Sequence, residues 1–297
     1  MLQLCLLVLT FWAQQPSQPQ QPLPEAAPFI AEFRKTLERD EKLLAQYTYT
    51  EKETEMSLDS KGRTKKSETN VYQVIHGDEE WKTYRRRISK NGVPLSEKDL
   101  EKQDRKKQER FAKEARKRAG QSEAKQQQEK AKSDREDRET TDDIFAMYDI
   151  RLVRREMLDG VSTILATFKS KPNYKAKTSD GKIMQHIAGR AWIAEEDHQL
   201  AKLEAEIVDP ISIGAGLLAK LQKGSTLAFE RRKINNEIWL PVKVEAVVNG
   251  RLLLLKGLNI HQVTEYSEHK KYSVDTVLTF GDKPLAPATP PSKPKPQ

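Results

Sequence analysis

The chain has 297 residues, 36% hydrophobic and 32% charged, which allows one large domain or two small ones and excludes a uniformly packed interior. A net charge of +8 and a pI near 9.3 suit anionic surroundings without specifying a fold. The single cysteine, Cys5, excludes an intramolecular disulfide.

Residues 2–13, LQLCLLVLTFWA, form an apolar run shorter than the about 20 residues of a bilayer span. Such a run fits the core of a secretory signal, although no Lys or Arg precedes it. We therefore expect an exported, periplasmic protein, free or membrane-associated. The expected organisation is a signal-like segment at 1–13, a Gln/Pro-rich linker at 14–28, one folded domain at 29–280 and a disordered Pro-rich tail at 281–297.

Within the domain, Phe29, Ile30, Phe33, Leu37 and Leu44 recur at helical spacing and predict an amphipathic helix over 29–46. Alternating and aromatic residues then predict strands at 47–58, 63–75 and 80–89, the third ending at Asn91-Gly92. Residues 96–141 are dominated by Lys, Arg, Glu, Asp and Gln. Opposite charges three or four apart, as in Glu109/Lys113 and Glu114/Arg118, predict one or two solvated helices inserted between strands, broken at Gly120. Thr141-Asp142-Asp143 predicts the cap of a separate short helix at 144–147. Strands at 149–157 and 161–168 flank Asp159-Gly160, and 182–186 lead into the next strand.

Residues 187–266 read as hairpin after hairpin. Turns are expected at Glu196-Asp197-His198, Asn235-Asn236 and Asn249-Gly250, the last because Asn-Gly readily adopts the positive φ of a two-residue turn. Leu217, Leu218 and Leu221 predict a short apolar helix within 210–223, ended by Gly224, and 274–280 forms a last strand or arm. The fold class is α+β: a large curved antiparallel sheet, or half-barrel, with a helical lid and a charged helical insertion at 96–141.

No catalytic or cofactor motif is present. The five histidines lack metal-ligand spacing, and there is neither a nucleophile elbow nor a phosphate loop, so we expect a protein that is not an enzyme and carries no cofactor. Arg85-Arg86-Arg87 would supply a basic patch, but alternation sends Arg86 to the face opposite its neighbours, and no nucleic-acid partner is expected.

The strands from 227 onward are richer in apolar residues than a sheet with one buried face requires, and residues 252–255 are four consecutive leucines. A twisted sheet of some ten strands curls, and a curled sheet lidded by helices leaves an apolar concavity. Candidate lipid-lining residues at period-two spacing are Phe229, Leu240, Val242, Val244, Leu252, Leu254, Leu258 and Ile260, with Leu217 and Leu221 from the lid. An acyl chain suits such a site, at about 0.8 kcal/mol per buried methylene. The same residues would also close a dry core, and their pattern does not separate the two.

The segment Gly189-Arg-Ala-Trp-Ile-Ala-Glu-Glu-Asp-His-Gln-Leu-Ala-Lys-Leu-Glu204 is similar to outer-membrane lipoprotein-sorting proteins of the LolA/LolB type. In that family a Trp-Ile strand turns through an acidic tip into a strand of the form leucine, x, lysine, x, glutamate. The segment Phe229…Trp239-Leu-Pro241 resembles the family's W-x-P strand. The resemblance covers 29–89 and 147–266. It implies a half-barrel with a helical lid, an apolar cavity and periplasmic binding of lipid or lipoprotein acyl chains, here by a monomer. The insertion at 96–141 and the Pro-rich tail depart from it. They favour an alternative: an envelope structural or interaction protein that contacts membrane or envelope proteins through those two segments.

Overall fold

The computed structural model of the chain describes residues 21–37, 46–77, 82–213, 218–252, 256–271, 279–280 and 283–284. The expected signal-like segment lies outside these residues, as does most of the tail. Helix α1 (Ala26–Thr36) starts three residues before the expected boundary, with Pro28 in its first turn, while residues 38–45 lie outside the described part. Strands β1 (Tyr47–Leu58), β2 (Thr64–Ile75), β3 (Tyr84–Lys90) and β4 (Val93–Pro94) follow as successive antiparallel partners.

The charged insertion folds as two helices, α2 (Glu97–Ala119) and α3 (Glu123–Met147), capped by Ser96 and Ser122 and separated at Gly120. The expected separate helix at 144–147 is instead the end of α3. Asp142 and Asp143 do not cap it, because their carboxylates are engaged elsewhere: Asp142 with Arg34 of α1, and Asp143 with the loop before α4. Next come β5 (Tyr148–Leu158), β6 (Val161–Ser170) and α4 (Ser179–Met184), a helical turn within a stretch expected to lead straight into a strand. Then come β7 (Ile187–Ala194), β8 (Leu200–Ile207), β9 (Ile211–Ile213), β10 (Ala219–Leu221), β11 (Thr226–Ile234), β12 (Ile238–Leu252) and β13 (Lys256–Lys271). Two short strands, β14 (Thr279–Phe280) and β15 (Lys283–Pro284), pair with each other.

Thirteen strands form one open antiparallel sheet in the order β4-β3-β2-β1-β13-β12-β11-β8-β7-β6-β5, with β9 and β10 attached beside β12. The chain builds outward from β1 to one edge, crosses through α2 and α3 to the far edge at β5, and returns inward until β13 pairs with β1. Among the described residues the end strands do not pair, and the architecture is an open half-barrel of the α+β class. The insertion is therefore the link between the two sheet edges, each of its helices being about 35 Å long.

Two sequence expectations are corrected by the register. Residues 219–221 form a strand, not a helix, because they pair with β12 at Ala219–Leu252, Lys220–Arg251 and Leu221–Gly250. Asn249-Gly250 is consequently inside β12 and not a turn. A Cβ on Gly250 would lie 2.4 Å from the Lys220 carbonyl oxygen, so glycine is needed there for close strand approach. Residues 253–255, between β12 and β13, lie outside the described part.

Candidate functional site

Side chains alternate between the two sheet faces, so cross-strand partners define rows. One row runs Leu152, Ala166, Ala191, Leu203, Phe229, Val244, Thr264, Glu53, Asn70 across nine strands. The next row on the same face runs Phe168, Gly189, Ala205, Leu227, Ala246, Gln262, Glu55, Glu68. This face is apolar over β5–β8, remains apolar over β11–β12 and becomes polar over β13, β1 and β2.

Helix α1 lies on the apolar end of that face. Phe29 packs with Ile164, Ala166, Ala191 and Ile193, while Ile30 and Phe33 join Ile150, Leu152, Leu200 and Leu203 around the same cluster. Every strand residue in this cluster belongs to β5–β8. The C-terminal end of α1 is tied to the β7–β8 turn, where Thr36 Oγ1 donates to the His198 carbonyl at 3.0 Å and the Phe29 and His198 rings lie 4.9 Å apart. On its other side α1 meets α3 through Phe33 and Phe145, whose rings are 6.2 Å apart. The lid thus covers one half of the face. Over β11–β13, Leu227 is 40% exposed and Phe229, Val244, Val248, Leu252, Leu258 and Ile260 are half-buried.

The opposite face is apolar at one end and charged over the rest. Its row runs from the buried Leu165 and Trp192 to Lys202, Glu230, Lys243, Glu265 and Lys52, the last five a ladder of alternating charge. Lys202 pairs with Glu230 at 3.6 Å, Lys52 with Glu265 at 3.0 Å, and Lys243 with Glu245 at 2.8 Å.

The structure places the predicted lining residues unevenly. Phe229 and Val244 are direct partners in the uncovered apolar row. Ile260 faces Val248 and Leu258 faces Gly250 in the adjoining rungs, and Leu252 partners Lys256 at the strand end. Leu240 is separated from this group: it is buried with Tyr47 and Ile238 in another core cluster. The register shifts between Glu230–Lys243 and Arg231–Pro241, leaving Val242 as an extra residue, and this bulge breaks the 240–242–244 alternation. Leu221 belongs to β10, not to a helical lid, while Leu217 and Leu254 lie outside the described residues.

A cleft of about 780 Å³ opens at the ends of three hairpins, on a floor of Leu158, Val161, Ala194, Ala201 and Trp239. Its rim charges pair with each other: Arg232 with Asp159 at 3.0 Å and Lys233 with Asp197 at 2.9 Å. The Trp239 indole also donates to Asp197, at 2.9 Å. Burial opposes ionisation of Asp197, but the bonds from Lys233 and Trp239 outweigh it and hold the carboxyl below the usual carboxylate range. None of the eight predicted residues that are described lines this cleft or the smaller ones of about 450 and 230 Å³. Among the described residues, no three His, Cys, Asp or Glu side chains are placed to hold a metal. No described helix is long and apolar enough to cross a membrane.

The arginine triplet divides between faces. Arg85 bonds Glu51 and Glu53 of β1, its Nε 2.9 Å from Glu51, while Arg86 reaches Asp104 of α2. Asp104 is a buried anchor that the sequence reading missed. It sits in a segment with almost no apolar residues, and the only hint was its place on the same helical stripe as Leu100 and Phe111.

No family model matches the chain, and no curated protein matches it significantly. Solved structures similar to it include a DUF1329 family protein from Desulfovibrio piger, at 13% identity and a TM-score of 0.33, matched over 84% of this chain and 95% of that one. A domain assigned to outer-membrane lipoprotein sorting from Vibrio parahaemolyticus matches at 11% identity and a TM-score of 0.28, over 82% and 92%. A LolA superfamily protein from Nitrosomonas europaea matches at 8% identity and a TM-score of 0.25, over 85% and 96%.

Proposed function

We propose that the chain is a periplasmic binding protein that holds acyl chains, free or on a lipoprotein, non-covalently against the α1-bearing face of its sheet. The observation that carries this reading is the apolar surface that continues past the lid, from Leu203 beneath α1 to Phe229 and Val244 beyond it, while the opposite face carries paired charges. An acyl chain laid along these rungs would bury apolar surface that α1 leaves open, each methylene contributing about 0.8 kcal/mol. Native mass spectrometry of the purified protein and uptake of a fluorescent fatty acid test it. Phe229→Asp with Val244→Asp is expected to weaken uptake at least about tenfold with the fold retained. A protein that is isolated lipid-free and takes up no probe would overturn the reading.

A second reading, an envelope interaction protein, is favoured by α3. Residues 123–139 are exposed on every side, held by Lys130–Asp134, Lys132–Glu136 and Arg135–Glu139 pairs at 3.6–3.8 Å. Because α2 and α3 join the two sheet edges, the informative variant replaces the charges on α3 and leaves the link intact. Loss of envelope-protein capture with fatty-acid uptake unchanged would support this reading, and unchanged capture would remove it.

A further inference from the structure

The two ends of the sheet differ in chemistry. At the end where β5 turns into β6, β7 into β8 and β11 into β12, the turns carry Asp159, Glu195-Glu196-Asp197 and Glu237. At the opposite end, where β9 meets β10 and β12 meets β13, the sequence holds no Asp or Glu over residues 210–229 or 246–264. Those two stretches instead carry Lys220, Lys223, Arg251 and Lys256.

Strand pairing brings the two acid-free stretches together, with Ala219 opposite Leu252 and Lys220 directly opposite Arg251. Like charges facing each other across a ladder cost stability unless an anion lies between them. Neither Lys220 nor Arg251 has a carboxylate partner among the described residues. Beside them, Leu218 is 57% exposed and Ile213 37% exposed. Exposed aliphatic side chains at a hairpin end, with Lys220 and Arg251 facing each other on the adjoining strands, match a lipid surface: the apolar groups enter the headgroup–acyl boundary and the cations meet phosphates.

We propose that this end of the sheet, centred on Ile213, Leu218, Lys220 and Arg251, docks onto bilayers that bear anionic headgroups. Ile213 shares a row with Ala219 and Leu252 and so borders the acyl-binding face, while Lys220 and Arg251 project from the opposite side of the same ribbon. Docking there would turn one end of the half-barrel toward the membrane and leave the acidic end away from it.

The test is flotation of the full chain with vesicles of phosphatidylethanolamine and phosphatidylglycerol, against vesicles of phosphatidylcholine alone. The protein is expected to float with the anionic vesicles and to be released by salt. Lys220→Gln with Arg251→Gln should weaken binding about fivefold per charge removed, and Ile213→Ser with Leu218→Ser about tenfold. Glu196→Gln, at the other end, should leave binding unchanged. The two pairs are independent, so misfolding of one, detected by circular dichroism, leaves the other as the test. Fatty-acid uptake that persists in the Lys220/Arg251 variant separates docking from acyl binding. Absence of flotation with anionic vesicles, or flotation that survives both pairs, overturns the proposal. So does a concentration-dependent dimer, seen by sedimentation velocity, that disappears in the Ile213/Leu218 variant without any flotation of the native chain.

Discussion

The Asp104 carboxylate accepts both guanidinium bonds of Arg86, at 2.9 and 2.7 Å, and the Tyr84 hydroxyl, at 2.8 Å. This contact fastens α2, a helix with almost no apolar surface, to β3. Gln103 and Lys107 add bonds to the Arg87 and Thr83 carbonyls at 3.1 and 2.6 Å. Asp104→Ala leaves Arg86 and Tyr84 without their partner and is expected to cost about 3 kcal/mol in chemical denaturation, because removing one member of a mostly buried pair strands the other. Replacing Asp104 and Arg86 together by leucine and methionine should recover most of that loss.

Asp143 does for α3 what Asp104 does for α2. It is 3% exposed and accepts from Tyr174 Oη, Lys177 N and Thr178 N at 2.8 Å and from Thr178 Oγ1 at 2.9 Å. Burial works against the charge, but the donors from Thr178, Tyr174 and Lys177 outweigh it and hold the carboxyl at about 2. A depressed carboxyl stabilises the fold above its unfolded value and loses that contribution as pH falls from about 4 through about 2. Asp143→Asn should flatten the stability profile in that window and raise amide exchange over residues 174–178. The measurements are acid titrations followed by circular dichroism, and hydrogen exchange.

The seam between β1 and β13 carries its own pH dependence. Tyr49 lies 5.4 Å from the His76 ring and 5.6 Å from the His269 ring, and His269 Nε2 donates to the Pro241 carbonyl at 3.0 Å. Burial lowers both imidazole pKa values below the ordinary 6.5, with the Pro241 carbonyl pulling His269 the other way. The unfolded chain then binds more protons than the folded one once pH drops below about 6.5, so stability falls with falling pH. The Tm should be flat above about pH 7 and decline toward pH 5, and His76→Gln with His269→Gln should reduce that slope. An unchanged slope in the double variant would refute the assignment.

Glycines separate into two kinds. Gly250→Ala puts a methyl 2.4 Å from the Lys220 carbonyl oxygen and is expected to detach β10 from β12, at about 1–3 kcal/mol. Gly160 has φ +82° and open space around it, so Gly160→Ala strains only the backbone, at about 1 kcal/mol. Thermal denaturation of the two variants should rank them in that order.

Much of the sheet was legible because its turns announce themselves. Asn91, Asp159, His198, Asn235 and Asn236 all adopt positive φ at places where the sequence calls for a reversal. The misreadings share one cause, since they depend on partners distant in sequence. Leu217, Leu218 and Leu221 have helical spacing, yet pairing with Gly250–Leu252 makes a strand of 219–221. The same pairing turns Asn249-Gly250 from a turn into strand interior. The bulge at Val242 moves Leu240 away from Val244, and no local pattern marks it. Asp104 and Asp143 were invisible as anchors because charged residues in a charged segment look solvated until their partners are known.

The pairing of β1 with β13 has a consequence for how the molecule is made. Thr50 and Glu268, bonded across that seam at 2.6 Å, are 218 residues apart. The first strands are therefore synthesised long before the neighbour that completes their ladder, and until then β1 presents an open row of amides and carbonyls. Nascent chains pass through a stage in which they can capture one another, and slow, concentration-sensitive refolding follows directly from where the last long strand is placed.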